Sequence, residues 1–354
     1  MSAARVVYTP DYDISFWGIE KLHPFDSRKA SRAWRRAHET LGAELDRARV
    51  APAAPVDREA LRTIHADAYL DSLRNSSVVA KALEMPVLRL LPGRTLDRRV
   101  LLPMRWAVQG TIDAARLAVA GGAAINLAGG YHHAHRDRGE GFCVYADVPI
   151  AIEMLRREKL LPEDARVAII DLDAHRGNGF EAIYEHDERV QFFDLYNFQV
   201  YPGPLQRFDP LSQDGGARDN ARFEDVRSLR AFMDDAGYLN VLKHYLPPFL
   251  SKGPYALAFY NAGTDVLKGD PLGHLGLSAD AVLERDRFVI ESFERAGIPW
   301  VMVPSGGYTE DSYKLVADTV VWACGARSGR KDAPAIGGVA VELMHASTNG
   351  TGAV

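Results

Sequence analysis

Val167-Ala168-Ile169-Ile170-Asp171-Leu172-Asp173-Ala174-His175 begins as an unbroken apolar run and ends in acids and an imidazole. Its first part, Val167–Leu172, has no polar face, which is the pattern of a strand covered on both sides in a parallel sheet. Three further runs read the same way: Val190–Leu195, Ala256–Asn261 and Trp300–Pro304. Helical stretches such as Ala151–Glu158 and Ala281–Ala296 separate them. This alternation predicts an α/β protein built as a single-domain, three-layer, doubly wound parallel sheet.

Towards the N-terminus, Arg5–Tyr8 and Ala123–Leu127 read as two more strands. Ser27–Leu41 is a charged amphipathic helix with Asp26 or Ser27 as its N-cap. Ala51–Pro55 is a short linker, and Asp57 opens another helical stretch. Arg105–Ala120 is helical, with Val108, Ile112, Ala115 and Val119 on one face, and Gly121-Gly122 stops it. No repeat or Ser/Gly linker divides the chain. One domain is expected over residues 1–327, followed by a Gly-, Ala- and Ser-rich tail, 328–354, to which no structure is assigned.

Composition narrows the function. The 354 residues are 47% hydrophobic and 25% charged, with a formal net charge of −5. That balance gives no electrostatic reason to expect nucleic acid as a partner. Two cysteines, Cys143 and Cys324, point to a reducing compartment rather than a disulfide framework. The opening MSAARVVYTPDYD lacks the apolar core of a signal peptide, and no run is long enough to span a bilayer. A cytoplasmic location is expected, or a nuclear one if the source is eukaryotic.

In open parallel sheets, ligands sit beyond the carboxyl ends of the strands. Every chemically suggestive group here follows such an end: His132 and His133 after Gly129-Gly130-Tyr131, then Asp173 and His175, Asp265, and Tyr308. Asp173 and His175 are two apart on an extended chain and so face one side. With Asp265 as a third ligand they make a neutral, open site for a dication. Zinc suits that set, and Fe(II) fits it as well. Any one of these pairs alone would be explained by turns and caps, whereas four segments converging on one edge are not.

Taken together, Gly130-Tyr131-His132-His133-Ala134, Gly141-Phe142-Cys143, Asp171-Leu172-Asp173-Ala174-His175, Gly263-Thr264-Asp265 and Ser305-Gly306-Gly307-Tyr308 resemble, in order and spacing, the zinc-dependent histone deacetylase family. His23-Pro24-Phe25-Asp26, Ile125-Asn126, Asp194-Leu195-Tyr196-Asn197, Tyr201-Pro202-Gly203 and Tyr260–Asp265 are similar to its class IV, histone deacetylase eleven-like branch. The resemblance covers about residues 7–325 and implies the arginase/deacetylase fold and an acyl-lysine hydrolase.

It also implies roles. Zinc sits on Asp173, His175 and Asp265. His133 is the general acid–base, supported by His132, which Asp171 orients; the partner of His133 is Asn178, where many relatives carry Asp. Tyr308 donates to the developing oxyanion. Phe142 and Tyr201 wall the lysine tunnel, although Tyr201 departs from the Phe common in the family. Gly141 offers its carbonyl to the substrate amide, Gly306 borders the substrate, and His23 lines the inner end of the pocket. A structural potassium ion is implied near Asp171, Asp173, His175, Asp194 and Leu195. His135 reads as an ordinary loop residue.

The expected partner is an acyl-lysine protein or peptide. The class IV likeness favours long fatty acyl chains over acetyl, with pocket depth set by the loops 83–93 and 197–206. Competing readings are a deacetylase of acetylated polyamines, an arginase-like enzyme with two manganese ions, and an inactive acyl-lysine-binding module. Arg176-Gly177-Asn178 supplies no carboxylate two residues after His175 for a second manganese, and an inactive module has no need of Tyr308 and both histidines. The sequence leaves the oligomeric state open.

Overall fold

The computed structural model describes residues 3–203, 223–225, 229 and 231–325. Eight strands among them form one sheet: β1 (Arg5–Val7), β2 (Arg49–Val50), β3 (Ala123–Asn126), β4 (Val167–Asp171), β5 (Val190–Asp194), β6 (Phe223–Asp225), β7 (Leu257–Asn261) and β8 (Trp300–Val303). All pairings are parallel. The spatial order is β2-β1-β3-β8-β7-β4-β5-β6.

The period of two along each strand divides the core into two layers. Ala168 and Ile170 of β4, Tyr260 of β7 and Met302 of β8 pack under the helices Lys29–Leu41, Asp235–Ser251, Ala279–Ala296 and Ser312–Cys324. Ile169, Phe259 and Val301 point the other way, under Leu102–Gly121 and Asp147–Arg157. Both faces are covered, which is why these strands read as continuous apolar runs. Burying each large side chain contributes ~1.5–3 kcal/mol, so the central strands are the most costly place to lose a methylene.

Strand order positions the site. From β3 the chain passes over two places in the sheet to reach β4, builds outward to β5 and β6, and returns through β7 and β8 to fill the gap. The four strands that precede the suggestive side chains, β3, β8, β7 and β4, are therefore consecutive neighbours. Their carboxyl ends meet at the switch point where such folds bind ligands.

The expected strands lie within a residue or two of the observed ones. The helices differ more. The first begins at Lys29, not Ser27, because Arg28 is not helical; Asp26 makes a turn ahead of it, accepting from Arg28 N at 3.0 Å. The helix expected over Ala151–Glu158 starts at Asp147, with Pro149 in its first turn, where a missing N–H costs little. Asp57 does cap a short helix, accepting from Ala60 N. β2, with two residues, is too short to carry a pattern, and Asp235–Ser251 contains Pro247-Pro248, which obscures its period. The tail assigned to 328–354, and the boundary at 327, lie outside the described residues. No helix among the described residues is long and apolar enough to cross a membrane.

Candidate active site

The turn after β3 is set from beneath. Asp147, fully buried at the start of its helix, accepts from Gly130 N and Tyr131 N at 2.9 Å and from Thr111 Oγ1 at 2.7 Å. This fixes the point from which His132 and His133 project. The backbone carbonyl of His132 accepts from Gly179 N and Phe180 N, which ties the pair to the helix Asn178–Ile183.

The two histidines have unlike partners. His132 Nδ1 lies 2.8 Å from Asp171 Oδ2, and Asp171 Oδ1 accepts from Asn261 Nδ2. His133 Nδ1 lies 2.7 Å from Asn178 Oδ1. Burial opposes charge on both rings. At His132 the carboxylates of Asp171 and Asp173 outweigh burial and push the imidazole up to about 9. At His133 burial, with His132 and His175 adding to it, holds the ring well below its ordinary value. The two rings, with centroids 4.1 Å apart, are thus pushed in opposite directions.

Asp173 and His175 after β4 and Asp265 after β7 come together, with one potential ligand atom from each within 4.8 Å of the others. His175 Nδ1 is 3.0 Å from both Asp173 Oδ1 and Asp265 Oδ2. Burial and the charge of Asp173 push the Asp265 carboxyl up. Two buried carboxylate oxygens and an imidazole nitrogen crowded in this way are a donor set that fits a metal ion. The chain keeps room beside them: a Cβ on Gly306 would stand 2.3 Å from Asp265 Oδ2 and 2.6 Å from Asp173 Oδ2. Gly306 also donates its N–H to Asp173 Oδ2 at 2.8 Å.

Tyr308 faces this group, its ring edge-on to His175 at 6.1 Å and 5.9 Å from Phe142. Burial, with Asp173 and Asp265 nearby, keeps its phenol neutral and able to donate. Phe142 also packs on His23 at 4.2 Å, and Tyr201, 40% exposed, stands edge-on to His133 at 4.9 Å. Between them Gly141 has φ +54°, and a Cβ there would meet His133 Cδ2 at 2.4 Å, so only glycine lets the ring sit there. The Gly141 carbonyl has Cys143 Sγ 3.3 Å away.

Behind these groups lies a cavity of about 120 Å³. His132, His133, Phe142 and Tyr308 border it, and apolar side chains including Leu83, Met85, Leu88, Val100, Met104 and Leu127 line it. His23 lines it too, and its Nδ1 also accepts from Phe25 N at 3.0 Å in the turn that follows. Three of the apolar lining residues come from the loop 83–93; the other loop named for depth, 197–206, lies partly outside the described residues.

The potassium set is contiguous: Asp171 and Asp194 are register partners in β4 and β5, and Leu195 N donates to Asp171 O at 3.0 Å. Asp194 Oδ2 accepts from Gly177 N.

Sequence reasoning missed several residues. Lys29 is fully buried, and its ammonium donates to Ser305 O at 2.5 Å and Gly306 O at 2.9 Å, under the Tyr308 turn. Asp270 accepts from Tyr308 N at 2.8 Å. His135 lies in a loop, as read, but it is buried there, with Nε2 2.9 Å from Glu140 Oε1. No motif spacing marks these residues; Lys29 and Asp270 act on segments remote in sequence, and the His135–Glu140 pair closes a loop with no recognisable pattern.

The model of the histone deacetylase domain matches residues 23–324, a span that takes in every residue of this site. The chain belongs to the histone deacetylase domain family. Among relatives of this histone deacetylase domain, Histone deacetylase 2 of Arabidopsis thaliana is 38% identical over 324 residues, covering 90% of this chain and 78% of that protein. Acetoin utilization protein AcuC of Bacillus subtilis is 27% identical over 324 residues, covering 88% and 78%. The crystal structure of the HDA15 HD domain superposes with a TM-score of 0.67 at 19% identity, covering 92% of both chains. That likeness speaks to the fold, the three-layer arginase/deacetylase sheet. A deacetylase-type hydrolase is the chemistry to which the family points, and the Asp173–His175–Asp265 cluster is a group that could hold a metal ion.

Proposed function

We propose that this protein is a zinc-dependent hydrolase of acyl-lysine in proteins or peptides, of the class IV type, acting on acyl groups longer than acetyl with long fatty chains favoured. One observation carries the reading: the apolar cavity directly behind the histidine pair and Tyr308. An acetyl group would leave it empty. Each methylene buried there contributes ~0.8 kcal/mol, about fourfold in affinity. A dry apolar cavity of ~150 Å³ holds a benzene ring, so this one, at about 120 Å³, supports an acyl group longer than acetyl, and the preference for long fatty chains rests on the class IV likeness.

Asp173, His175 and Asp265 would hold the zinc, or Fe(II), which on binding supplies an acidified water and a Lewis acid for the carbonyl oxygen. The protein's own groups do the rest. Phe142 and Tyr201 flank the lysine chain, Gly141 offers its carbonyl to the amide N–H, and Gly306 borders the acyl carbon. Neutral His133 takes the proton of the attacking water on Nε2. The Tyr308 hydroxyl donates to the carbonyl oxygen as negative charge develops there. His133 then delivers its proton to the lysine nitrogen as the C–N bond breaks, releasing a fatty acid and a free amine. His132, charged and paired with Asp171, stabilises the same developing charge. A potassium ion near Asp171, Asp194 and Leu195 would steady the β4 and β5 ends.

The test is kcat/KM on one lysine peptide bearing acetyl, octanoyl or myristoyl, alongside acetylputrescine. We expect octanoyl and myristoyl to exceed acetyl by 10-fold or more, on the order of two buried methylenes at least. Acetylputrescine as the best substrate would make the protein a polyamine deacetylase instead.

A further inference from the structure

We propose that Glu140 is a positioning residue that orients the side-chain amide of Asn178 and thereby selects the tautomer of His133 that can accept a proton. The proposal rests on the reading of His133 as proton carrier.

An amide beside an imidazole is ambiguous in a way a carboxylate is not. Both carboxylate oxygens accept, so the facing ring nitrogen must carry hydrogen. An amide presents either its oxygen or its NH2. As placed here, Asn178 Oδ1 faces His133 Nδ1 at 2.7 Å, so Nδ1 carries the hydrogen and Nε2 keeps its lone pair. With the amide turned over, NH2 would face Nδ1, the hydrogen would move to Nε2, and the ring could not take the water's proton. His133 alone is satisfied by either arrangement.

Glu140 removes the ambiguity. Asn178 Nδ2 donates to Glu140 Oε1 at 2.8 Å, and a carboxylate can only accept. Turning the amide would set its oxygen against that carboxylate and lose a charge-assisted hydrogen bond. Glu140 is itself anchored, though its side chain is partly exposed. Its Oε2 accepts from Arg138 Nε at 3.1 Å, and His135 Nε2 lies 2.9 Å from Oε1. Its backbone N–H and carbonyl both pair with Cys143. Burial alone would raise its carboxyl, but the hydrogen bonds from His135 and Asn178 hold it below its ordinary value, and so ionised. Anchor and amide therefore act as one unit, with the negative charge placed one group away from the histidine.

The arrangement makes a sign-reversing prediction. In Asn178→Asp there is no amide to orient, and the new carboxylate stands against Glu140. A double-mutant cycle reads this out in kcat and KM on an acyl-lysine peptide, with the His133 tautomer followed by nitrogen-15 histidine NMR. Glu140→Ala should lower kcat about 10-fold or more, in the range typical for partners that orient a functional histidine. KM should change little, and a population with hydrogen on His133 Nε2 should appear. Asn178→Asp should also be impaired. Adding Glu140→Ala to Asn178→Asp should raise kcat rather than lower it. Glu140→Gln keeps one acceptor and should fall between wild type and Glu140→Ala; it serves the same cycle if the alanine variant does not fold. Equal losses from Glu140→Ala in both backgrounds, with an unchanged tautomer, would overturn the proposal. His133→Ala separates the two readings: retained turnover there defeats the proton-carrier role itself, whereas lost turnover with an additive cycle defeats only the role of Glu140.

Discussion

His132 and His133 are chemically the same residue made different by what their Nδ1 atoms meet. Asp171 and Asp173 push one ring up; burial, with the two neighbouring imidazoles, pushes the other down against the hydrogen bond to Asn178. Division of labour in the pair is therefore electrostatic, and it is set by residues about forty positions along the chain. Tyr308 completes the set as a neutral donor. Replacing it with Phe removes one hydroxyl and leaves the packing against His175 and Phe142. Tyr308→Phe should fold and bind metal as wild type does, while kcat falls by 100-fold or more, about 3 kcal/mol of lost transition-state stabilisation. A kcat near wild type would remove Tyr308 from the chemistry.

At the level of elements, the site depends on turns pinned from other layers. The Ser305–Tyr308 turn after β8 hangs on Lys29 of the first long helix and on Asp270 of the loop after β7. Burial pushes the Lys29 ammonium down to about 8, with Asp265 and Asp173 working the other way. Much of its hydrogen-bond energy thus offsets its own desolvation. Its removal is costly chiefly because the Ser305 carbonyl loses its donor, while Gly306 O keeps the Thr264 N–H at 3.0 Å. Lys29→Met should destabilise the fold by about 2 kcal/mol, from the orphaned Ser305 acceptor, and should lower kcat by loosening the Tyr308 turn. Urea unfolding and turnover measure the two effects; a variant unchanged in both would show that the turn holds itself. Arg285 plays a like part for β4 and β7, donating to Leu172 O at 3.0 Å and Gly263 O at 2.7 Å.

Over the whole molecule, a sheet ordered β2-β1-β3-β8-β7-β4-β5-β6 brings four sequence-distant strand ends side by side. Much of this was legible in the chain. Central strands are covered on both faces, so their apolar runs stand out, and the groups at their ends fall where parallel sheets place ligands. Motif spacing then pointed to Asp173, His175, Asp265 and the histidine pair, which the fold brings together. What escaped reading has a common cause. Lys29, Asp147 and Asp270 carry no periodic or motif signal, because their partners lie on other segments of the chain, and the link from Glu140 to Asn178 spans 38 residues. The edge strands β2 and β6 are too short to show a pattern. The cavity is a property of packing, summed over side chains from many segments.

Metal dependence tests the account most directly. Turnover of an octanoyl-lysine peptide should vanish on dialysis against a chelator and return on adding about one equivalent of zinc or Fe(II). Asp265→Asn should neither retain the metal nor recover turnover. Hydrolysis that persists in the chelated protein, or in Asp265→Asn, would contradict the assignment of Asp173, His175 and Asp265 and the mechanism built on it.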